Sequence, residues 1–272
     1  MHPMERLRHV ARAGASGPVD AAIVVAETVE ALARLRPEPA ELVNVCRQLV
    51  QRHPACGPLW WLGAHLLSGG IERLRDLGSA IDAERTELHL AAALPDGATV
   101  VTIGCPDIAA RGLARRGDVR VLAVDAGAAA TALVRLLDRA EVAVDVVDPA
   151  ALVPAVRAAE LVLVEATACS AAGALTQMGG GVLVAAARAA GTPVWLVAGR
   201  GTRLPGGLFD AAASLAVPCD EPWLGSVELV PFDALDPARD KVAGPDGVVL
   251  LGATAAFTAE CPFTPELVPP HP

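Results

Sequence analysis

Tyrosine is absent from this 272-residue chain, aromatic residues make up only 3%, and Lys241 is the single lysine against 21 arginines. Asn44 is the single asparagine. A chain that replaces lysine with arginine this completely carries a coding bias, so an Arg where another protein has Lys says little about chemistry. The formal charge is -9, with no Lys/Arg run. That pattern argues against direct nucleic-acid binding, which needs a concentrated basic face. No apolar stretch reaches the roughly 18 uninterrupted residues of a membrane span. The opening MHPMERLRHVARAG has no apolar signal-peptide core, so a cytoplasmic location is expected. The six cysteines, at 46, 56, 105, 169, 219 and 261, form no C-x-x-C pair. Reduced thiols and no zinc are expected, and nothing calls for a metal or other cofactor.

What is present is apolar and small: 53% of residues are hydrophobic, much of this alanine. Residues 18–94 read as helices. Apolar positions repeat at helical spacing over Asp20–Leu35, then over Glu38–Gln51 with Leu42, Val43, Cys46, Leu49 and Val50 on one face. Arg36-Pro37 and His53-Pro54 break the pattern. Leu59–Leu67 is short and very apolar, its Trp60-Trp61 pair suited to a core or an interface. Ile71–Leu94 reads as one long amphipathic helix. At Pro95-Asp96-Gly97 the pattern changes. Five β-type runs, 98–104, 119–125, 142–148, 161–165 and 193–198, alternate with helical segments at 106–116, 128–140, 151–158 and 182–190. This is the signature of an α/β protein with a Rossmann-like parallel sheet. The expected division is a helical domain, 1–94, followed by a Rossmann-like domain, 95–272. Runs 227–230 and 247–252 are candidate further strands.

Ligands of such sheets bind at the carboxyl ends of the strands. Those ends are Gly104-Cys105, Asp125, Asp148, Glu165-Ala166 and Ala198-Gly199. Cys105 reads either as a thiolate activated by the helix that follows it or as a small residue closing a turn. Gly179-Gly180-Gly181 offers amides to a phosphate or simply lets two backbones pass. Arg200 and Arg203 are a nearby basic pair or a solvated loop. His53, His65 and His89 have no ligand spacing with the cysteines. The first strand ends in GCPDIAARG, without the G-x-G-x-x-G of a dinucleotide site.

Three stretches carry a resemblance: Arg12-Ala13-Gly14-Ala15-Ser16-Gly17, Arg36 to Asn44, and Glu165 to Gly181. Over about 12–215 the chain resembles the initiation factor 2B-like family, which contains the alpha, beta and delta subunits of that factor together with methylthioribose-1-phosphate and ribose-1,5-bisphosphate isomerases. The resemblance implies a helical domain before a Rossmann-like domain, and dimers formed through the latter. In the isomerases a Cys and an Asp carry out the aldose–ketose proton transfer. The Cys position corresponds to Cys105, but the Asp falls on Thr167 and an Asn-Lys pair falls on Gln177-Met178. A Glu falls on Gly199, and a phosphate-binding Arg falls within Asp125-Ala126-Gly127-Ala128. Coding bias does not account for lost carboxylates in a chain with 31 Asp and Glu. The expectation is a non-catalytic relative that binds or senses a small phosphorylated metabolite or acts as an assembly subunit, with ligand contacts from Arg12, Gly104, Thr167, Gln177, Gly179, Gly180, Gly181 and Arg200. The alternative is a sugar-phosphate isomerase of altered specificity that uses Cys105, with Glu165 or Asp148 in the place of the missing Asp. Self-association is expected through apolar residues of 200–260: Leu204, Leu208, Phe209, Trp223, Leu224 and Phe232.

Overall fold

A computed structural model describes residues 21–125, 130–218 and 220–269. Five helices open it. α1 (Ala21–Leu35) buries Val24, Val25, Thr28, Ala31 and Leu32 along one stripe, and Arg36 ends it with a positive φ of 43°. α2 (Pro39–Arg52) starts at a capping box between Glu38 and Glu41 with Pro39 in its first turn. α3 (Gly57–Gly69) is apolar all round and therefore buried, with Leu59, Trp60, Trp61, Leu62, Ala64 and Leu66 inside. The indole N–H groups of both tryptophans donate to carbonyls, Trp60 to Pro54 at 2.9 Å and Trp61 to Glu260 at 3.1 Å. The expected single helix over 71–94 is broken. A 3₁₀ turn leads into α4 (Leu74–Asp82), and α5 (Thr86–Ala93) starts afresh. The break sits at Glu84, whose carboxylate accepts the Thr86 N–H and hydroxyl, both at 2.7 Å, and so caps α5.

The sheet follows. β1 (Thr99–Ile103), α6 (Asp107–Leu113), β2 (Arg120–Val124), α7 (Ala130–Arg139), β3 (Ala143–Val147), α8 (Leu152–Ala158) and β4 (Leu161–Ser170) alternate, then β5 (Gly173–Gln177), α9 (Gly180–Ala190), β6 (Val194–Val197), α10 (Gly206–Ala216), β7 (Val227–Pro231), β8 (Lys241–Gly244) and β9 (Gly247–Leu250). The strand order is β3-β2-β1-β4-β6-β8-β9, parallel through β8, with β9 antiparallel at the edge. The order reverses between β1 and β4, the point at which open α/β sheets form a ligand crevice.

β4 outruns its parallel neighbours. From Ala166 onward it pairs antiparallel with β5, and β5 pairs with β7. The stretch 166–177, which lies beyond the expected strand run 161–165, is thus largely a hairpin, and a register irregularity falls between Ala166 and Ala168, at Thr167. Such bulges bend a strand and re-aim one side chain.

Two cores pack on the sheet's faces. One holds Val101, Val162, Leu196 and Leu183 of α9, the other Val100, Leu163, Leu113 of α6 and Leu133 of α7. A third joins the helices to the far end of the chain: Leu32, Trp60 and Leu62 pack with Leu175, Leu208, Phe209 and Leu267. Leu204, Leu208 and Phe209, expected on an association surface, are therefore buried, because α1–α4 supply the apolar neighbours that the sheet region lacks by itself. Trp223 and Leu224 are exposed, at 70% and 69%. Phe232 stacks on Phe257. Among the described residues no helix is long and apolar enough to cross a membrane.

Candidate functional site

A cavity of about 420 Å³ opens where the strand ends meet the helices. Cys105 follows β1, Glu165 and Thr167 lie in β4, and Gly199 and Arg200 follow β6, and all five line it. The parallel topology brings these carboxyl ends to one side, as expected. Gln177 and Gly180 line it from the hairpin side. Gly104, Gly179 and Gly181 support the wall. Gly104 has a φ of +65°, and a Cβ there would stand 1.9 Å from the Gln177 amide, while Gly179 has a φ of +96° against the Ile103 side chain. Both positions need glycine. Arg12 lies outside the described residues.

Sequence reasoning missed the helical half of this wall. Arg52, His53, Cys56, Pro58, Ile81 and Glu84 line the cavity as well. One signal for this was Gly57, which begins α3: a Cβ there would come within 2.6 Å of the Thr167 carbonyl and 3.0 Å of the Thr202 backbone. Only a glycine lets the helix end rest on the bulged strand. Nothing in the sequence pointed to Glu84.

Six backbone amides at and beside the cleft are engaged by carboxylates of the chain. The N-terminus of α6, which the thiolate reading of Cys105 invoked, is held by Glu165, which accepts the N–H groups of Asp107, Ile108 and Ala109 at 3.2, 2.8 and 2.9 Å. Gly181 N–H, at the start of α9, donates to Glu228 at 2.9 Å. Arg200 N–H donates to Glu84, and Gly201 N–H to Glu260. At four places where a bound anion would find donors, a carboxylate of this chain is already seated.

Charges follow from this seating. Burial pushes the Cys105 thiol up from its ordinary value, and the charges of Asp107 and Glu165 add to the push. The thiol form is therefore favoured. This favours the turn-closing reading of Cys105 over the thiolate one, since the thiol is buried and the Glu165 carboxyl occupies the helix N-terminus that was to stabilise a thiolate. Burial also pushes Glu165 up, to about 7, against the pull of the Ala109 and Ile108 amides. The Thr167 hydroxyl donates to the Leu175 carbonyl across the hairpin at 3.2 Å. Arg203, the second expected cation, is buried and committed to Glu260 at 2.6 Å and Asp246 at 3.1 Å. Arg111 pairs with Glu87 at 2.6 Å. Arg200 is less engaged: its guanidinium stands 4.0 Å from Asp246, and its buried Nε has no hydrogen-bond partner. Among the described residues no group of three His, Cys, Asp or Glu side chains gathers as a metal site. The rest of the wall mixes apolar side chains, among them Ile81, Ile103, Ile108, Leu163, Val164 and Val227, with polar ones, Thr102, Asp107, Thr176, Thr202 and Ser226.

No protein-family model matches the chain, and no curated protein matches it. Solved structures do. The translation initiation factor eIF-2B of Pyrococcus horikoshii OT3 matches with a TM-score of 0.74 at 13% identity, over 94% of this chain and 98% of that one. The eIF2B beta subunit of Chaetomium thermophilum matches with a TM-score of 0.66 at 13% identity, over 92% and 86%. The tetrameric eIF2B-beta2-delta2 complex from C. thermophilum gives 0.70 at 14% identity, over 92% and 91%. At these identities the likeness is one of architecture: the chain has the fold of the initiation factor 2B subunits.

Proposed function

We propose that the chain is a non-catalytic protein that binds a small molecule in the cavity between its helices and the strand ends. The observation that carries this reading is the condition of the acid–base groups. Thr167 stands where the isomerase resemblance requires a carboxylate, and its hydroxyl is held by Leu175. Glu165, a carboxylate of the same wall, spends three of its four lone-pair positions on the amides that start α6. Loss of a general acid–base group costs on the order of 10²–10⁴-fold in rate. An assay for isomerisation of ribose 1,5-bisphosphate and methylthioribose 1-phosphate tests the reading. It expects no turnover at ordinary enzyme rates.

A second reading is an isomerase of altered specificity, with Cys105 and Glu165 as the acid–base pair. It is favoured by a carboxyl that titrates near 7, a useful value for proton transfer at neutral pH, in the wall that Cys105 shares. An activity found by metabolite screening and abolished by Cys105→Ser would support it, and activity unchanged in that variant would remove it. As to partners, we propose self-association through the C-terminal half, supported by the exposed Trp223 and Leu224 and by a relative in fold that is a tetrameric complex.

A further inference from the structure

Resting on the binding reading above, we infer that the cavity takes a compact monocarboxylic acid with an apolar body, and not a phosphorylated metabolite. The sequence led to the opposite expectation, and the difference lies in where the carboxylates sit. In the lining, the amides of Ile108 and Arg200, which would hold a phosphate, are held by Glu165 and Glu84, and beside it those of Gly181 and Gly201 are held by Glu228 and Glu260. A phosphate would have to displace one of these or lie beside Glu84 and Glu165, both of which face the cavity. Glu84, and Glu165 in its ionised form, repel an anion in a partly buried site, and a dianion suffers twice what a monoanion does.

Among the described residues two arginines of the lining have no close ion pair, the exposed Arg52 and the half-buried Arg200. Arg200 lines the cavity, keeps only a distant contact with Asp246, and has a buried Nε without a partner. A planar guanidinium and a carboxylate pair through two parallel hydrogen bonds and balance one charge with one. Beside Arg200 the wall turns apolar. The Ile108 side chain lies against Gly199, the residue before it, so closely that a Cβ on Gly199 would stand 2.3 Å away. Ile81, Ile103, Leu163 and Val164 continue that surface. That stretch of wall favours an alkyl or cyclic body.

Titration calorimetry of the full chain with octanoate, 1-octanol, inorganic phosphate and ribose 5-phosphate tests this. Octanoate is expected to bind, and neither phosphate compound to bind or compete. Arg200→Gln is expected to weaken octanoate about tenfold or more, the usual scale for a lost hydrogen bond to a charged group, while 1-octanol keeps its affinity, which shows that the variant cavity is intact. Tighter binding of either phosphate compound than of octanoate would overturn the ligand class and leave the binding reading standing. Equal loss of octanoate and 1-octanol in the variant would also overturn the class, since the headgroup would then have no dedicated partner. Absence of binding by all four would remove both.

Discussion

Glu165→Gln separates the charge of the buried carboxyl from its shape. In the folded protein burial moves this group from 4.5 to about 7. Between those two values the folded state holds a proton that the unfolded state has released. Stability from this group is therefore full below about pH 4.5 and falls as pH rises toward and through 7. At about 1.4 kcal/mol per pH unit, the loss amounts to at most about 3 kcal/mol by pH 8. A glutamine oxygen can still accept the Ile108 and Ala109 amides, while its NH₂ faces the Asp107 N–H; the cost is about 1 kcal/mol and does not vary with pH. His65, whose pKa is lowered chiefly by burial, contributes a slope of the opposite sign, but it does so in both proteins. The quantity to measure is the difference in unfolding free energy, variant minus wild type, from urea titrations at pH 5, 6, 7 and 8 followed by tryptophan fluorescence. It should rise by up to about 3 kcal/mol across that range. A difference that stays flat or falls would show that the three amides, not burial, control the group, and the account of the α6 terminus would be wrong.

Gly57→Ala places a Cβ against the Thr167 carbonyl and the Thr202 backbone and should destabilise by about 1–3 kcal/mol; an unchanged melting temperature would refute the close approach. Arg203→Ala leaves the buried Glu260 without its ion-pair partner and should cost about 3–5 kcal/mol, with part of that recovered in an Arg203→Ala, Glu260→Gln double variant; additive losses in denaturant unfolding would contradict the pairing. Cys105, with its thiol pushed up, should be alkylated by iodoacetamide at pH 7.5 more slowly than free cysteine, as read by peptide mass spectrometry, and faster labelling would restore the thiolate. Leu224→Glu should shift any oligomer toward monomer in sedimentation at micromolar concentration without lowering the melting temperature by more than a few degrees, since the site is exposed; a wild type that sediments as a monomer refutes the association surface.

The parallel strands and the helices between them were legible because each carries a local period: continuous apolar runs for strands buried on both faces and helical stripes at 21–35 and 39–52. What the pattern missed depends on partners distant in sequence. β5 is an apolar stretch that becomes a strand only between β4 and β7. The helix break before Thr86 depends on the Glu84 carboxylate, which serves both α5 and Arg200. In the site, the convergence of Cys105, Thr167 and Gly199 followed from topology. The occupation of its amides did not, because Glu84, Glu228 and Glu260 reach them from 116, 47 and 59 residues away. Leu208 and Phe209 were misplaced for the same reason, since the helices that cover them lie more than a hundred residues earlier.

The central claim is that this cavity binds without turning its ligand over. It is tested most directly by incubating the wild-type chain and Cys105→Ser side by side with ribose 1,5-bisphosphate and methylthioribose 1-phosphate and measuring ketose formation over time. Typical enzymes turn over at about 1–10³ s⁻¹. The account predicts that both proteins stay at least 10²-fold below the bottom of that range, the scale of a missing acid–base group, and are indistinguishable from each other. Wild-type turnover within the typical range, abolished in Cys105→Ser, would contradict it.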